Sequence, residues 1–401
     1  MKDIGILNHW MVNNYGAVFL AYALERKLLE MGYDAETISW LPDEVRYPWK
    51  LSQAKKAGII HYLFRLGYFL VFILPREKNF RAFRARMRVS AKTYRDRTLP
   101  GIAEEYRFFL IGGDQLWNTK ETYYNRNNFL PFIRNRDRKA AYAASISQDF
   151  IRREIRKQFA QDVEGFSHVT VRETNAAELI EQETGFRPER VTDSAFLLSR
   201  EEWAELAEAP VRKKKYAFVY QVQSDGIVPE FAGKIAEKNG WDIVYCPFPF
   251  RCWIRCDVNP YASPERWLGM IANAEYVVTD AFHGLVFSLI FNKPFAVEIS
   301  RYGQDTACRI TSLLNLYSLQ DRLLNKDSFD KLLKESPQGM DFEPVNRLIL
   351  QERQRGEAAL RKMLACVKPS DMYWGGVVEY NYTRQVICFT LAFWVRERRT
   401  V

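Results

Sequence analysis

No stretch of the 401-residue sequence reaches the roughly twenty consecutive apolar residues that a membrane-crossing helix needs. A GxxxxGK[ST] loop is missing, which argues against a P-loop nucleotide hydrolase. The first strand–helix junction lacks GxGxxG, so a dinucleotide oxidoreductase is not expected. HExxH and GxSxG do not occur, which sets aside the corresponding zinc proteases and serine hydrolases. Histidine is scarce, with four in the chain, and so is cysteine, with six. Three thiols (Cys246, Cys252 and Cys256) fall within CPFPFRCWIRC. Their spacing fits no common zinc finger and no histidine is near, so no metal is expected. MKDIGILNHW leads straight into a strand-like segment with no visible secretory leader, and a reducing cytoplasm with free thiols is the expectation.

What is there points to a well-filled globular protein. Hydrophobic residues make up 47% and charged residues 27%, which excludes general disorder. Lys and Arg (58) exceed Asp and Glu (49), a net charge of +9 that favours anionic partners: phosphorylated metabolites, acidic polysaccharide, nucleic acid or an anionic membrane. REKNFRAFRARMR (76–88) interleaves basic and aromatic residues, but a solvated or membrane-facing helix accounts for it better than RNA does, and no nucleic-acid partner is expected. Two apolar stretches stand out, YLFRLGYFLVFILP (62–75) and QVICFTLAFWV (385–395), both with basic flanks. Two readings apply: buried helices packed on each other, or peripheral docking on the anionic inner face of a membrane.

Strand-like and helix-like segments alternate along the chain. KDIGIL, AETISW, YRFFLIGG, RKAAYAAS, HVTVR and ERVTDS read as strands, with helices such as AVFLAYALERKLLEMG and TNAAELIEQETG between them. A charged stretch ending at Lys215 interrupts the alternation. It then restarts with KYAFVYQV, VPEFAGKIAEKNG, WDIVYCPF, SPERWLGMIANAE, EYVVTD, GLVFSLIFN and PFAVEIS. The expected fold is α/β, with two Rossmann-like doubly wound domains and C-terminal helices: residues 1–205, 206–320 and a helical extension over 321–401.

Ligands of such sheets collect beyond the carboxyl ends of the strands. Three loops with unusual residues fall there. In NHWMVNNYGA, Asn13, Asn14, Tyr15 and Gly16 form a polar entry to a helix N-terminus suited to an anion or polar ligand, though ordinary turn chemistry uses the same residues. In LIGGDQLWN, Gly112 and Gly113 permit close backbone approach, Asp114 presents a carboxylate, and Trp117 offers a face on which a sugar can stack. A capping Asp and a core Trp are the plainer alternatives. In TDAFHGLVFSLIFNKPF, His283 sits where a strand stops and a helix starts, a position that favours the neutral imidazole and suits acid–base work. Gly284 removes bulk where a ligand would approach, and Asp280 can either orient the ring or cap the helix.

The ordered set NNYGAVFLAYALERKLLEMGY, LIGGDQLWN, AAYAASIS, VTVRE, VTDSAFLL and TDAFHGLVFSLIFNKPF resembles the polysaccharide pyruvyl transferase family over residues 1 to about 320. The resemblance implies a GT-B-like pair of domains, with the acceptor on the N-terminal side and the donor on the C-terminal side. It implies phosphoenolpyruvate as co-substrate with no further cofactor. The partner it implies is a sugar or lipid-linked glycan acceptor that receives a pyruvate ketal. Matched to the family's motifs, His283 is the acid, Arg172 clamps the donor and Asp114 accepts a proton from the attacking hydroxyl. Gly284 and Asp280 fall on the donor side, and Asn13, Asn14, Tyr15, Gly16, Gly113 and Trp117 on the acceptor side. One position departs: the family pattern places an arginine two residues before the histidine, where this chain has Ala281. Arg309 is the expected replacement, with Arg301 and Arg251 as further candidates. Alternatives to the transferase are a GT-B glycosyltransferase using a nucleotide sugar and a non-catalytic glycan-binding paralogue.

Overall fold

The computed structural model describes residues 1–45, 55–56, 58–113, 115–120, 124–212, 214–223, 226–247, 256–259, 261–299, 307–335 and 339–369. Seven strands build the first sheet: β1 (Lys2–Leu7), β2 (Ala35–Trp40), β3 (Val89–Tyr94), β4 (Tyr106–Gly112), β5 (Lys139–Ala144), β6 (His168–Val171) and β7 (Glu189–Arg190). They are parallel, in the order β3-β2-β1-β4-β5-β6-β7. A parallel sheet is covered on both faces, which is why β2 and β5 are buried at every position. Alternate residues serve opposite cores: Leu7, Phe109 and Ile111 point one way, and Ile4, Ile6, Phe108 and Leu110 the other.

The second sheet holds β8 (Tyr216–Gln221), β9 (Asp242–Pro247), β10 (Asp257–Val258), β11 (Tyr276–Thr279), β12 (Phe295–Glu298) and β13 (Leu323–Leu324), parallel in the order β10-β9-β8-β11-β12-β13. Strand order therefore reverses between β1 and β4 in one sheet and between β8 and β11 in the other, the two places where such sheets open a crevice. This is the two-domain Rossmann-like fold of the GT-B kind.

The helices are α1 (Tyr15–Glu30), α2 (Ile59–Tyr68), α3 (Leu74–Arg84), α4 (Arg156–Glu164), α5 (Thr174–Thr184), α6 (Arg200–Leu206), α7 (Val228–Asn239), α8 (Pro264–Ala272), α9 (Phe282–Ile290), α10 (Ala307–Leu316), α11 (Phe329–Lys334) and α12 (Glu343–Met363). The second sheet continues past residue 320, because β13 at 323–324 pairs with β12. Beyond it, α12 returns to the first domain, where Ala359, Leu360 and Met363 join the core of β1 and β4. Arg190 ion-pairs with Glu352 at 2.8 Å, and Arg353 donates to the carbonyls of Phe196 and Leu198.

One further expectation changes here. The 62–75 stretch is not a buried helix: Leu63, Phe64, Leu70, Val71 and Leu74 are all exposed. Its supposed partner at 385–395 lies outside the described residues, as do Asp114, Arg251, Arg301, Cys252 and Cys388. Between the domains, Tyr15 and Phe19 of α1 meet Trp267 of α8, Phe287 of α9 and Trp203 of α6 in one aromatic cluster. Tyr15 stacks on Trp267 at 5.2 Å, and its hydroxyl donates to the carbonyl of Ala262 at 2.8 Å.

Candidate active site

At the carboxyl edge of the first sheet, β5, β6 and β7 release Ser145, Arg172 and Asp193 in adjacent loops. Ala143, at φ +50, interrupts the β5–β6 register, and its N–H is taken by the Thr170 hydroxyl at 3.0 Å. Such a bulge re-aims the side chains after it. The Arg172 guanidinium donates to Asp193 Oδ2 at 2.7 Å and to Ser145 Oγ at 3.1 Å, and its Nε lies 3.4 Å from Glu173 Oε2. Glu173 Oε1 accepts from Ser145 Oγ at 2.7 Å and from the Ser147 N–H at 2.9 Å. Ser145 has one proton and gives it to Glu173, so across the 2.6 Å contact Ser147 donates to Ser145. All five side chains are buried, so each charge needs the partner it has.

The second domain supplies the histidine. Thr279 ends β11 with its hydroxyl on the Tyr220 carbonyl (2.6 Å), and the Ala281 N–H donates back to that hydroxyl at 3.0 Å. Asp280 accepts from the N–H groups of Val222 (2.6 Å) and Gln223 (2.9 Å), clamping the β8 and β11 ends together across the strand reversal. Burial pushes the Asp280 carboxyl up to about 7, against the pull of those two N–H groups. It neither orients the imidazole nor caps α9, whose N-cap is Ala281. His283 consequently lies in the first turn of α9 rather than before it, and is buried.

The His283 ring crosses to the first domain. It rests on Gly16 in the first turn of α1, so closely that a Cβ there would overlap it. Its Nε2 stands 3.7 Å from Asp193 Oδ2, an ion-pair separation rather than a hydrogen bond. Burial alone raises the Asp193 carboxyl. The facing His283 and Arg172 and the Ala195 N–H outweigh it and hold Asp193 down at about 2, so Asp193 is ionised at neutral pH. Beside His283, the Phe282 ring carries the Arg172 guanidinium at 4.4 Å and that of Arg309, from α10, at 5.5 Å. With its amide oxygen turned inward, Gln115 accepts from Arg309 at 2.7 and 3.1 Å. Arg172, Arg190, Asp193, Phe282, Arg309 and Ser312 line a small pocket at this junction.

The structure thus brings together His283, Arg172, Arg309 and Gly16. The remaining expected residues have other duties. Asn14 is the α1 N-cap, accepting from the Ala17 N–H at 3.2 Å, and Asn13 accepts from Arg84 at 2.8 Å. Tyr15 is sealed in the interdomain cluster. Trp117 offers no face to a sugar: it is fully buried, stacked on Phe129 at 5.1 Å. Gly284 faces the side chain of Thr279, so its small size serves helix–strand packing rather than a ligand. Gly113, at φ +140, abuts Leu20 and Asn8. Asp193 and the Ser145–Ser147–Glu173 network were not singled out from the sequence. The signal available for Asp193 was a carboxylate three residues past the last strand of the sheet, in VTDS. Among the described residues, no group of three or more His, Cys, Asp or Glu side chains is arranged to hold a metal.

A family model described as polysaccharide pyruvyl transferase matches residues 14–298. No curated protein matches the sequence significantly. Among solved structures, the UDP-N-acetylglucosamine 2-epimerase from Rickettsia bellii is similar with a TM-score of 0.51 at 9% identity, over 91% of this chain and 98% of that one. An alpha,alpha-trehalose-phosphate synthase (UDP-forming) from Burkholderia vietnamiensis has a TM-score of 0.47 at 11% identity, over 91% and 96%. At such identities the likeness to the epimerase concerns the fold alone.

Proposed function

The chain belongs to the polysaccharide pyruvyl transferase family, and on that premise we propose that it transfers a pyruvyl group from phosphoenolpyruvate to two hydroxyls of a sugar in a cell-surface glycan precursor, forming a ketal. The observation that carries the reading is His283, delivered by one domain onto Gly16 and Asp193 of the other, beside two guanidiniums gathered over Phe282.

Phosphoenolpyruvate brings a carboxylate and a phosphate, which guanidinium groups bind through charge-assisted, often bidentate hydrogen bonds. Arg172 and Arg309 are the assigned clamps. Arg309 stands in for the arginine that Ala281 does not provide, since its guanidinium reaches the same ring as that of Arg172. In the first step His283 gives a proton to C3 as a sugar hydroxyl adds to C2. That hydroxyl's proton passes to a base, for which Asp114 is the candidate. The C2–O bond to phosphate then breaks, the second hydroxyl adds at C2, and its proton leaves with the phosphate. The balance is one phosphoenolpyruvate and one diol to one ketal and one phosphate. No further cofactor enters this scheme. The acceptor is a soluble or lipid-linked sugar reached from the cytoplasmic side.

Phosphate release from phosphoenolpyruvate in the presence of glycan precursors tests the proposal. His283→Ala is expected to lower kcat by about 10²–10⁴-fold, and Arg172→Ala to raise KM for phosphoenolpyruvate. Thermal stabilisation by a nucleotide sugar, with no phosphate released from any acceptor, would replace the proposal with a glycosyltransferase.

A further inference from the structure

Of the thirteen exposed large hydrophobic residues among those described, seven lie on sixteen consecutive positions: Ile59, Ile60, Leu63, Phe64, Leu70, Val71 and Leu74. In α2, Ile59, Ile60, Leu63 and Phe64 fall within about 140° of one another at about 100° per residue. Of the other three, Leu70 and Val71 lie within a π turn at Phe69–Ile73 and Leu74 directly follows it. The opposite side, Tyr62, Leu66, Phe69 and Ile73, is half-buried. Water-facing apolar side chains in a row are costly unless something covers them.

Charge names the occupant. From Val45 to Pro75 the sequence has no Asp or Glu, while Arg46, Lys50, Lys55, Lys56 and Arg65 are basic. Lys55, Lys56 and Arg65 are exposed beside the apolar side; past it the exposed Lys78 follows Glu77, which ion-pairs with Arg84 at 3.0 Å. An apolar helical face with cationic flanks and no acidic residue matches an anionic lipid surface, where buried apolar area and charge attraction act together.

The length of the segment suits lying on a membrane rather than crossing it. The described helix pair Ile59–Val71 and Leu74–Arg84 has the joint length and composition of a bent span. Its second member, however, is anchored in the protein: Phe80 and Phe83 are fully buried. The remainder, about fifteen residues, reaches only about 22 Å against a hydrocarbon core of about 30 Å. The anchoring is specific. Pro75 has no N–H for the Val71 carbonyl, and the Tyr261 hydroxyl donates to it instead at 2.9 Å. Asn79 donates to the Tyr261 carbonyl. Arg84 grips the loop ahead of Gly16, donating to the carbonyls of Met11 (3.0 Å) and Val12 (2.9 Å) and to Asn13.

We propose that residues 59–74 form an in-plane helix that seats the protein on an anionic bilayer and, through α3, holds the loop before Gly16 near the lipid surface. The inference goes beyond the reaction proposed above and does not rest on it, since lipid binding needs no substrate. If both hold, the site faces acceptors carried on lipid.

The full chain is floated with vesicles of phosphatidylcholine alone and with phosphatidylglycerol added. Expected are binding to the anionic vesicles that weakens with salt, and at least about a tenfold loss in Leu63→Glu/Phe64→Glu. Lys55→Glu/Lys56→Glu should lose about as much on anionic vesicles and nothing on neutral ones. All four positions are exposed, and unchanged thermal melts verify that the variants fold. The proposal is overturned if the wild type stays with the soluble fraction. It is equally overturned if Leu63→Glu/Phe64→Glu floats as well as the wild type, or if that pair converts a wild-type dimer to monomer in solution, which would make a second copy the occupant.

Discussion

At position 16 a hydrogen atom stands where any other side chain would place a carbon in the imidazole of His283. The ring is held from one side by the α1 backbone and from another by the Asp193 carboxylate. Gly16→Ala therefore displaces the catalytic candidate without touching its chemistry. A shift on the order of 1 Å in a reacting group costs about 10²-fold in rate, and overpacking costs about 1–3 kcal/mol in stability. Gly16→Ala should show both, a kcat loss near that of His283→Ala together with a modest fall in Tm. Unchanged kinetics would mean that the ring does no work where it lies. Glycine at this turn was legible in the sequence, but its partner was not. Gly16 and His283 are far apart in the chain, and only the docking of two domains makes them neighbours. The same blindness explains Tyr15 and Trp117. An aromatic residue in a loop at a sheet's mouth can face ligand or core, and local sequence is the same for both.

Elements were legible where burial made them uniform. Strands such as β5 and β8 are covered on both sides and read as apolar runs, and helices such as α8 announce themselves by Ser263 and Pro264 at the start. The edge strand β3 was not, because three consecutive residues of VSAKTY are exposed. A buried charge is likewise invisible to periodicity. Glu25 looks like the polar face of α1, yet it lies 2% exposed, accepting from the Thr37 hydroxyl at 2.8 Å and the Arg88 N–H at 2.7 Å. Burial raises its carboxyl to about 8, against the pull of those hydrogen bonds and the Arg88 charge. The folded state thus keeps a proton that the unfolded chain releases near pH ~4.3. The unfolded state binds fewer protons between these values, so this group lowers stability as pH rises, by at most about 1.4 kcal/mol per pH unit. Above pH 8 the penalty stops growing. Glu25→Gln removes the titration. Denaturant midpoints for the two proteins should lie closest near pH 5 and diverge in favour of the amide variant by pH 8. Parallel pH profiles would refute a buried neutral carboxyl.

Three connections make the two sheets one machine: the aromatic cluster, α12 and the contact of His283 with Gly16. Trp267, on α8 of the second domain, stacks on Tyr15 and lies 5.6 Å from Phe19, both from the first domain, while also packing edge-on to Tyr220 and Phe287 of its own. It is fully buried. Because α12 also crosses back to the first core, neither sheet can unfold without exposing apolar surface on the other. The wild type should therefore melt in a single calorimetric transition. Trp267→Ala removes the shared ring and should cost about 3–5 kcal/mol. If the cluster is what joins the domains, that loss falls on cooperativity as well as on Tm, and the single peak splits in two. The same variant should lose activity at temperatures below the first peak, because Gly16 and His283 meet only while the cluster holds. A wild type that already melts in two steps would show that the domains dock without coupling, and would shift the burden of aligning His283 onto Asp193 and Arg172 alone.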